Sequence, residues 1–222
     1  DRRQRQMCIR DRHIYDTYCN LIMKEADNGM NQVLVNRPVL EEYIRRQYPG
    51  FKLISSTTKR ITGLDGLLEE LNKDYFLVVL DYDLNHNEEV LSAIGKQADK
   101  VEILVNEICY PGCPKRSEHY RQQSQMQLEY DIDTAFPCPN KTRERKFEEC
   151  KERPSFISRE QIREYVDRGF VNFKIVGRGM PMDFVKESYL YYLVKDDSRA
   201  FIRNKMESTL NQFAQAMKKR KA

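Results

Sequence analysis

Four of the six cysteines, Cys109, Cys113, Cys138 and Cys150, lie in one loop-rich stretch that begins where the apolar run 101–105 gives way to Asn106 and Glu107. Thiolates gathered just past a strand are natural ligands for a soft or borderline metal ion. Cys109 and Cys113 enclose three residues, which suits a zinc knuckle, while Cys138 and Cys150 are too dispersed to form a second one. Bacterial ferredoxin spacing is absent. Four thiolates complete either a [4Fe–4S] cluster or a tetrahedral zinc site, and the spacing leaves both open. Four unrelated free thiols fit least well, because these polar, proline-containing segments offer little core to fill.

Positioning such a site is the work of repeated strand and helix units. Short apolar runs at 32–35, 51–55, 75–80, 101–105 and 171–176 read as strands. Between the first four lie amphipathic helical patterns at 38–47, 64–72 and 87–96, the first with Pro38 in its opening turn. A helix over 14–26 precedes them and places Cys19 in the core. Strands spaced in this way favour parallel βα repeats over hairpins. The cysteine-bearing insertion at 107–156 interrupts the rhythm, with a helix expected at 117–129 and irregular chain at 136–140. Ser158 and Gln161 have capping-box spacing, Gly169 stops that helix, and helices at 182–194 and 198–217 follow the last strand.

The fold class expected is α/β: TIM-barrel-like parallel βα repeats, an incomplete (β/α)₈ barrel of five strands with a cysteine-containing insertion. An open doubly wound sheet is the alternative, but no glycine-rich phosphate loop follows any strand, and Gly177-Arg178-Gly179 is too short a match. In parallel architectures the residues after the strands converge on one face. These are Asn36, Ser55, Ser56, Asp81, Asp83, Asn106, Glu107, Gly177 and Arg178. Among them Glu107 and Arg178, with His119, are candidate catalytic groups, and Asn36, Asp81, Asn106 and Arg116 candidate substrate contacts. His119 could serve as an acid, a base or a partner of a ligand, and Arg116 could balance cluster charge or bind an anion. His13 and His86 carry no argument.

Composition bounds the function. The 222 residues carry a formal charge of +4 on 32% charged side chains, intermixed in sign, which gives weak support for nucleic acid as a partner. No apolar run approaches the roughly 20 residues of a membrane span, and no leader pattern is visible. A cytoplasmic protein without disulfides is expected. Residues 1–12 are basic, aperiodic and resemble translated sequencing adapter, which removes Cys8 from the metal argument and marks the chain as a fragment; the domain is then 13–222. Neither a Gly-x-Ser-x-Gly elbow nor a His-Glu-x-x-His helix is present, which lowers the expectation of a protease.

The run 103–116, Ile-Leu-Val-Asn-Glu-Ile-Cys-Tyr-Pro-Gly-Cys-Pro-Lys-Arg, followed by His119-Tyr120, the later cysteines and Phe173 to Arg178, resembles the collagenase-like peptidase superfamily, historically U-32, in an uncharacterised bacterial branch. The resemblance implies a TIM-barrel-like domain and a [4Fe–4S] cluster held by Cys109, Cys113, Cys138 and Cys150. In some members it implies oxygen-independent hydroxylation of RNA bases or of a ubiquinone precursor using prephenate; others carry a peptidase label. An iron–sulfur protein acting on a small molecule or RNA, with a redox partner, is the expectation. A non-catalytic binding or scaffold protein with a structural zinc or cluster is the alternative, and a peptidase the third choice.

Overall fold

The computed structural model describes residues 16–129, 136–138, 145–177 and 179–219. The segment 1–12, Cys8, His13 and Arg178 lie outside the described residues. Five parallel strands form one sheet: β1 (Gln32–Val35), β2 (Lys52–Ser55), β3 (Leu77–Val79), β4 (Val101–Leu104) and β5 (Asn172–Lys174). Their order in the sheet is their order in the chain, with Val33 beside Leu53, Val78 beside Val101 and Ile103 beside Phe173. A doubly wound sheet reverses direction at a switch point; this one never does. One-way winding of parallel βα units is the architecture of a barrel wall, so the partial TIM-barrel-like reading holds and the doubly wound alternative does not.

The strands alternate between two apolar layers. Leu53, Val78, Val101 and Ile103 join the main core under the helices. Ile54, Leu77, Val79 and Leu104 form a smaller cluster with Val176 on the other face, which is the inside of the barrel wall.

Helix α1 (Thr17–Ala26) is capped by Asp16, whose carboxylate accepts the Cys19 amide at 2.8 Å, and Cys19 is buried as expected. Helix α2 (Pro38–Gln47) opens on its proline. Helices α3 (Leu64–Leu71) and α4 (Glu88–Ile94) follow β2 and β3. The insertion supplies α5 (Arg116–Glu129) and a short α6 (Phe147–Lys151) that the sequence pattern did not reveal. In α7 (Arg159–Asp167) the reciprocal capping box of Ser158 and Gln161 is present, and Gly169 at φ +96° ends the helix where an L side chain would be strained. Helices α8 (Met182–Leu193) and α9 (Asp196–Lys219) complete the described chain. No helix among the described residues is long and apolar enough to cross a membrane.

A buried ionic network ties β2 to α2 and α3. Glu70 accepts from Lys59 and Ser55, each at 2.5 Å, and from Lys73 at 2.6 Å, while Tyr75 bonds both Lys59 and Glu41. Burial opposes the Glu70 charge, but these three donors outweigh it and hold its pKa at about 2, against an ordinary 4.5. A depressed carboxylate pKa contributes stability above the unfolded value, and that contribution fades as pH falls through the folded one. Urea midpoints of the wild type should therefore drop between pH 4.5 and about 2 more steeply than those of Glu70→Gln. Parallel curves for the two proteins would sink this assignment.

Candidate functional site at the strand ends

The chain beyond β2, β3 and β4 meets at one end of the sheet. After β2 a 3₁₀ turn (Thr57–Lys59) delivers Arg60 in the left-handed region, φ 57° and ψ 51°. Sequence reasoning passed Arg60 over, because a strained non-glycine backbone leaves no mark in residue type. Its Nη1 lies 2.6 and 2.7 Å from the two oxygens of Asp81, and its Nη2 2.6 Å from Asp83. Asp81 is inaccessible to solvent, and burial raises its pKa despite the Asp83 amide and the Arg60 charge. The intervening Tyr82 is 1% exposed, and two guanidinium groups, those of Arg60 and Arg116, each lie 5.3 Å from its ring centroid.

Beyond β4, Asn106 and Glu107 are buried and do different work. Asn106 acts as a clip: its amide donates to the Val176 carbonyl at 3.0 Å and to Ser188 at 3.2 Å, and its oxygen accepts the Val176 amide at 2.6 Å. Glu107 faces the cysteines. One carboxylate oxygen accepts the Cys109 amide at 3.0 Å and the other accepts from Arg116 at 3.3 Å. The Cys150 Sγ lies 3.8 Å from the Glu107 carbonyl oxygen. Cys109 and Cys150, from opposite ends of the insertion, therefore meet on one residue.

The cysteines are free thiols, two of them buried. Burial raises the Cys109 pKa; Arg116 and Tyr82 oppose the rise, and Glu107 and Cys113 add to it. Cys150, within an aromatic cluster of Phe147 and Phe184, is pushed up by burial to about 12. Cys113 is half-buried and its carbonyl accepts the Arg116 amide at 3.1 Å. Cys138 is also half-buried, two positions after Phe136, whose ring stacks on His119 at 4.5 Å and 8°. Burial, then Arg116 and Arg145, lower the His119 pKa, which favours a neutral imidazole.

Of the other expected contacts, Arg116 lies in the cluster, bonded to Glu107 and, at 2.5 Å, to Tyr120. Asn36 lies apart, donating to Thr58 at 2.8 Å, beside the turn that delivers Arg60. Arg153 was not anticipated. It is 6% exposed, donates to the Ile108 carbonyl at 3.0 Å and stacks on Tyr110 at 3.9 Å.

Among the described residues, no three His, Cys, Asp or Glu side chains stand at metal-ligand spacing. Ligation would thus require the cysteine segments to close upon an ion, with loss of thiol protons. The residues otherwise fit such a centre. Three buried donors near the cysteines, Tyr82 Oη, Arg116 Nε and Arg153 Nη2, lack a hydrogen-bond acceptor. Arg116 and Tyr82 act on Cys109, and Arg153 acts on Cys150. Unpaired buried donors are costly, and an anionic thiolate-bound group would satisfy them.

Comparison with known proteins gives one relative. The chain is 27% identical over 196 residues to a protein of Methanocaldococcus jannaschii named an uncharacterized protease; the match covers 84% of this chain and 57% of that one. The similarity supports a collagenase-like, U-32 peptidase-like relationship. The chain spans a little over half the length of the relative it matches. Neither a family model nor a solved structure matches it.

Proposed function

We propose that this relative of the U-32 peptidases carries a [4Fe–4S] cluster on Cys109, Cys113, Cys138 and Cys150, and uses it in an oxygen-independent, hydroxylase-like reaction on a small molecule or an RNA base. The supporting observation is the convergence of Cys109 and Cys150 on Glu107 at the end of β4, beside buried donors that have no acceptor. When bound, a four-cysteine cluster supplies one-electron chemistry at a potential set by the charges and hydrogen bonds around its sulfurs.

The chain's own residues would divide the remaining tasks. Glu107 orients the Cys109 loop through its amide, and Arg116 offsets the negative charge of Glu107 and the thiolates. His119, kept neutral and flat against Phe136, can accept or return a proton at its free ring nitrogen. Asp81 with Arg60 supplies a buried acidic group inside the barrel wall, and Arg178 follows β5 as a candidate anion contact. Hydroxylation with water in place of O₂ withdraws two electrons from the substrate, and a redox partner would accept them.

Metal and acid-labile sulfide content, measured with an absorption spectrum on protein purified without oxygen, tests this reading. About four irons and four sulfides per chain are expected, lost in Cys113→Ala. One zinc without sulfide would replace the reading with a structural site on a scaffold, to which the aromatic packing of Cys150 is equally suited. The name of the archaeal relative keeps a peptidase as a third reading. Casein hydrolysis that survives removal of all metal would favour it.

A further inference from the structure

Helix α9 outruns the element it packs on. Its first half lies antiparallel along α8: Arg199 donates to the Leu190 carbonyl at 3.3 Å, Arg203 donates to both oxygens of Glu187 at 3.1 and 2.8 Å, and Glu207 accepts from Lys186 at 2.9 Å. The partners on α8 step back towards its start at Met182 as α9 advances. Past Glu207 there is little of α8 left to meet, and every residue of 208–217 is exposed. From Leu210 to Lys219 the helix runs on for about 15 Å.

The side of α9 that faces α8 does not turn polar where α8 ends. Arg199, Arg203 and Met206 are continued, at the same alternating steps of four and three, by Leu210, Phe213 and Met217, which are 37, 64 and 41% exposed. No residue of 208–217 is charged, and the next four, Lys218, Lys219, Arg220 and Lys221, are all cationic. One or two cations satisfy a helix C-terminus, because the dipole acts only over the last turn. Four in succession exceed that need. An apolar row beside a cationic run is what an anionic bilayer surface attracts, through acyl contact and through headgroup charge. A second copy fits the row less well: three side chains per copy, already partly packed, fall short of the roughly 1,000 Å² that a specific interface buries.

We propose that the overhang of α9 docks on an anionic phospholipid surface, with Leu210, Phe213 and Met217 in the acyl boundary and the cationic run 218–221 against the headgroup phosphates. The helix would lie on the bilayer, since it is not apolar enough to cross one. Both signals are needed, because a small apolar row binds reversibly and surface charge alone is screened by salt. The row is already bare, so docking requires no change in the fold. It does not involve the cysteine centre, and either proposal can fail without the other.

Sedimentation of the full chain with vesicles of phosphatidylcholine and phosphatidylglycerol in equal parts tests this. The wild type should pellet with them, bind phosphatidylcholine alone at least about tenfold more weakly, and be released by salt. Phe213→Glu should weaken binding by about tenfold or more, and Lys218→Gln and Lys219→Gln by about fivefold each. All three positions lie beyond the packed half of the helix, so thermal melts should match that of the wild type. Phe201→Glu is the control: Phe201 is 71% exposed but two and a half turns before Leu210, on the opposite side of the helix, and its variant should bind as the wild type does. A wild type that stays in solution with the mixed vesicles overturns the proposal, as does a Phe213→Glu variant that pellets equally well. Dimerisation in light scattering that Phe213→Glu abolishes, without vesicle binding, would overturn it in favour of a second copy. Binding of polyuridylate that the lysine variants lose and Phe213→Glu keeps, again without vesicle binding, would overturn it in favour of RNA.

Discussion

Cys150→Ala should abolish metal binding while leaving the apo protein folded. The side chain is small and its Sγ makes one polar contact, to the Glu107 carbonyl at 3.8 Å, so the packing loss in the Phe147 and Phe184 cluster should cost roughly 1 kcal/mol. The metal term is much larger. A ligand that binds only the folded state stabilises it by RT ln(1 + [L]/Kd), about 4 kcal/mol at a thousandfold excess over Kd. The loaded wild type should therefore melt well above its apo form, whereas the variant shows a single melt with or without metal. Calorimetry on matched anaerobic samples reads both quantities at once. If Cys150→Ala retained full metal content and the loaded-protein melt, Cys150 would be a core thiol and the four-cysteine site would be wrong.

The second large effect concerns the Arg60–Asp81 pair. Burial raises the Asp81 pKa even beside a guanidinium, so the pair gains little net stability over an apolar substitute. Removing one partner is a different matter. Asp81→Ala would strip Arg60 Nη1 of both its acceptors and leave a guanidinium that is 14% exposed with Asp83 alone. A loss of about 3–5 kcal/mol is expected, read as a lower urea midpoint at unchanged slope. Asp81→Asn keeps an acceptor oxygen and should cost less. A loss below about 1 kcal/mol for the alanine variant would show that solvent reaches Arg60 and that the pair is not a closed unit.

Much of this fold could be read from residue pattern alone. The bounds of β1 and α2 coincide with their apolar periods, Pro38 and the Ser158–Gln161 box mark true helix starts, and Gly169 marks a true stop. The remaining strands are shorter than their apolar runs, although single backbone bonds, such as the Leu80 amide to the Glu102 carbonyl and the Val105 amide to the Lys174 carbonyl, carry the pairing a residue further. The polar residues after the strands were legible as a set, since parallel winding brings strand ends together. Their individual roles were not. Asn106 looks in sequence like a ligand contact, yet its amide reproduces a backbone pairing with Val176, 70 residues away, which no local pattern encodes. Arg60 and Arg153 were missed for a related reason: one is defined by a backbone angle, the other by a stacking partner, Tyr110, that only the folded loop supplies.

The one-way order of the strands also bears on how the molecule comes together. Pairings from β1 to β4 join segments about 20 residues apart, each closed by its own helix. The bond from Asn106 to Val176 spans 70 residues and carries the whole cysteine insertion inside it. Closing the longer loop costs more chain entropy, by about 1 kcal/mol, before any contact repays it. Arg60, Asp81 and Tyr82 would thus take their places during the early, local stage of folding. The thiols would be brought to them last, so assembly of the metal centre would report that the final strand has docked.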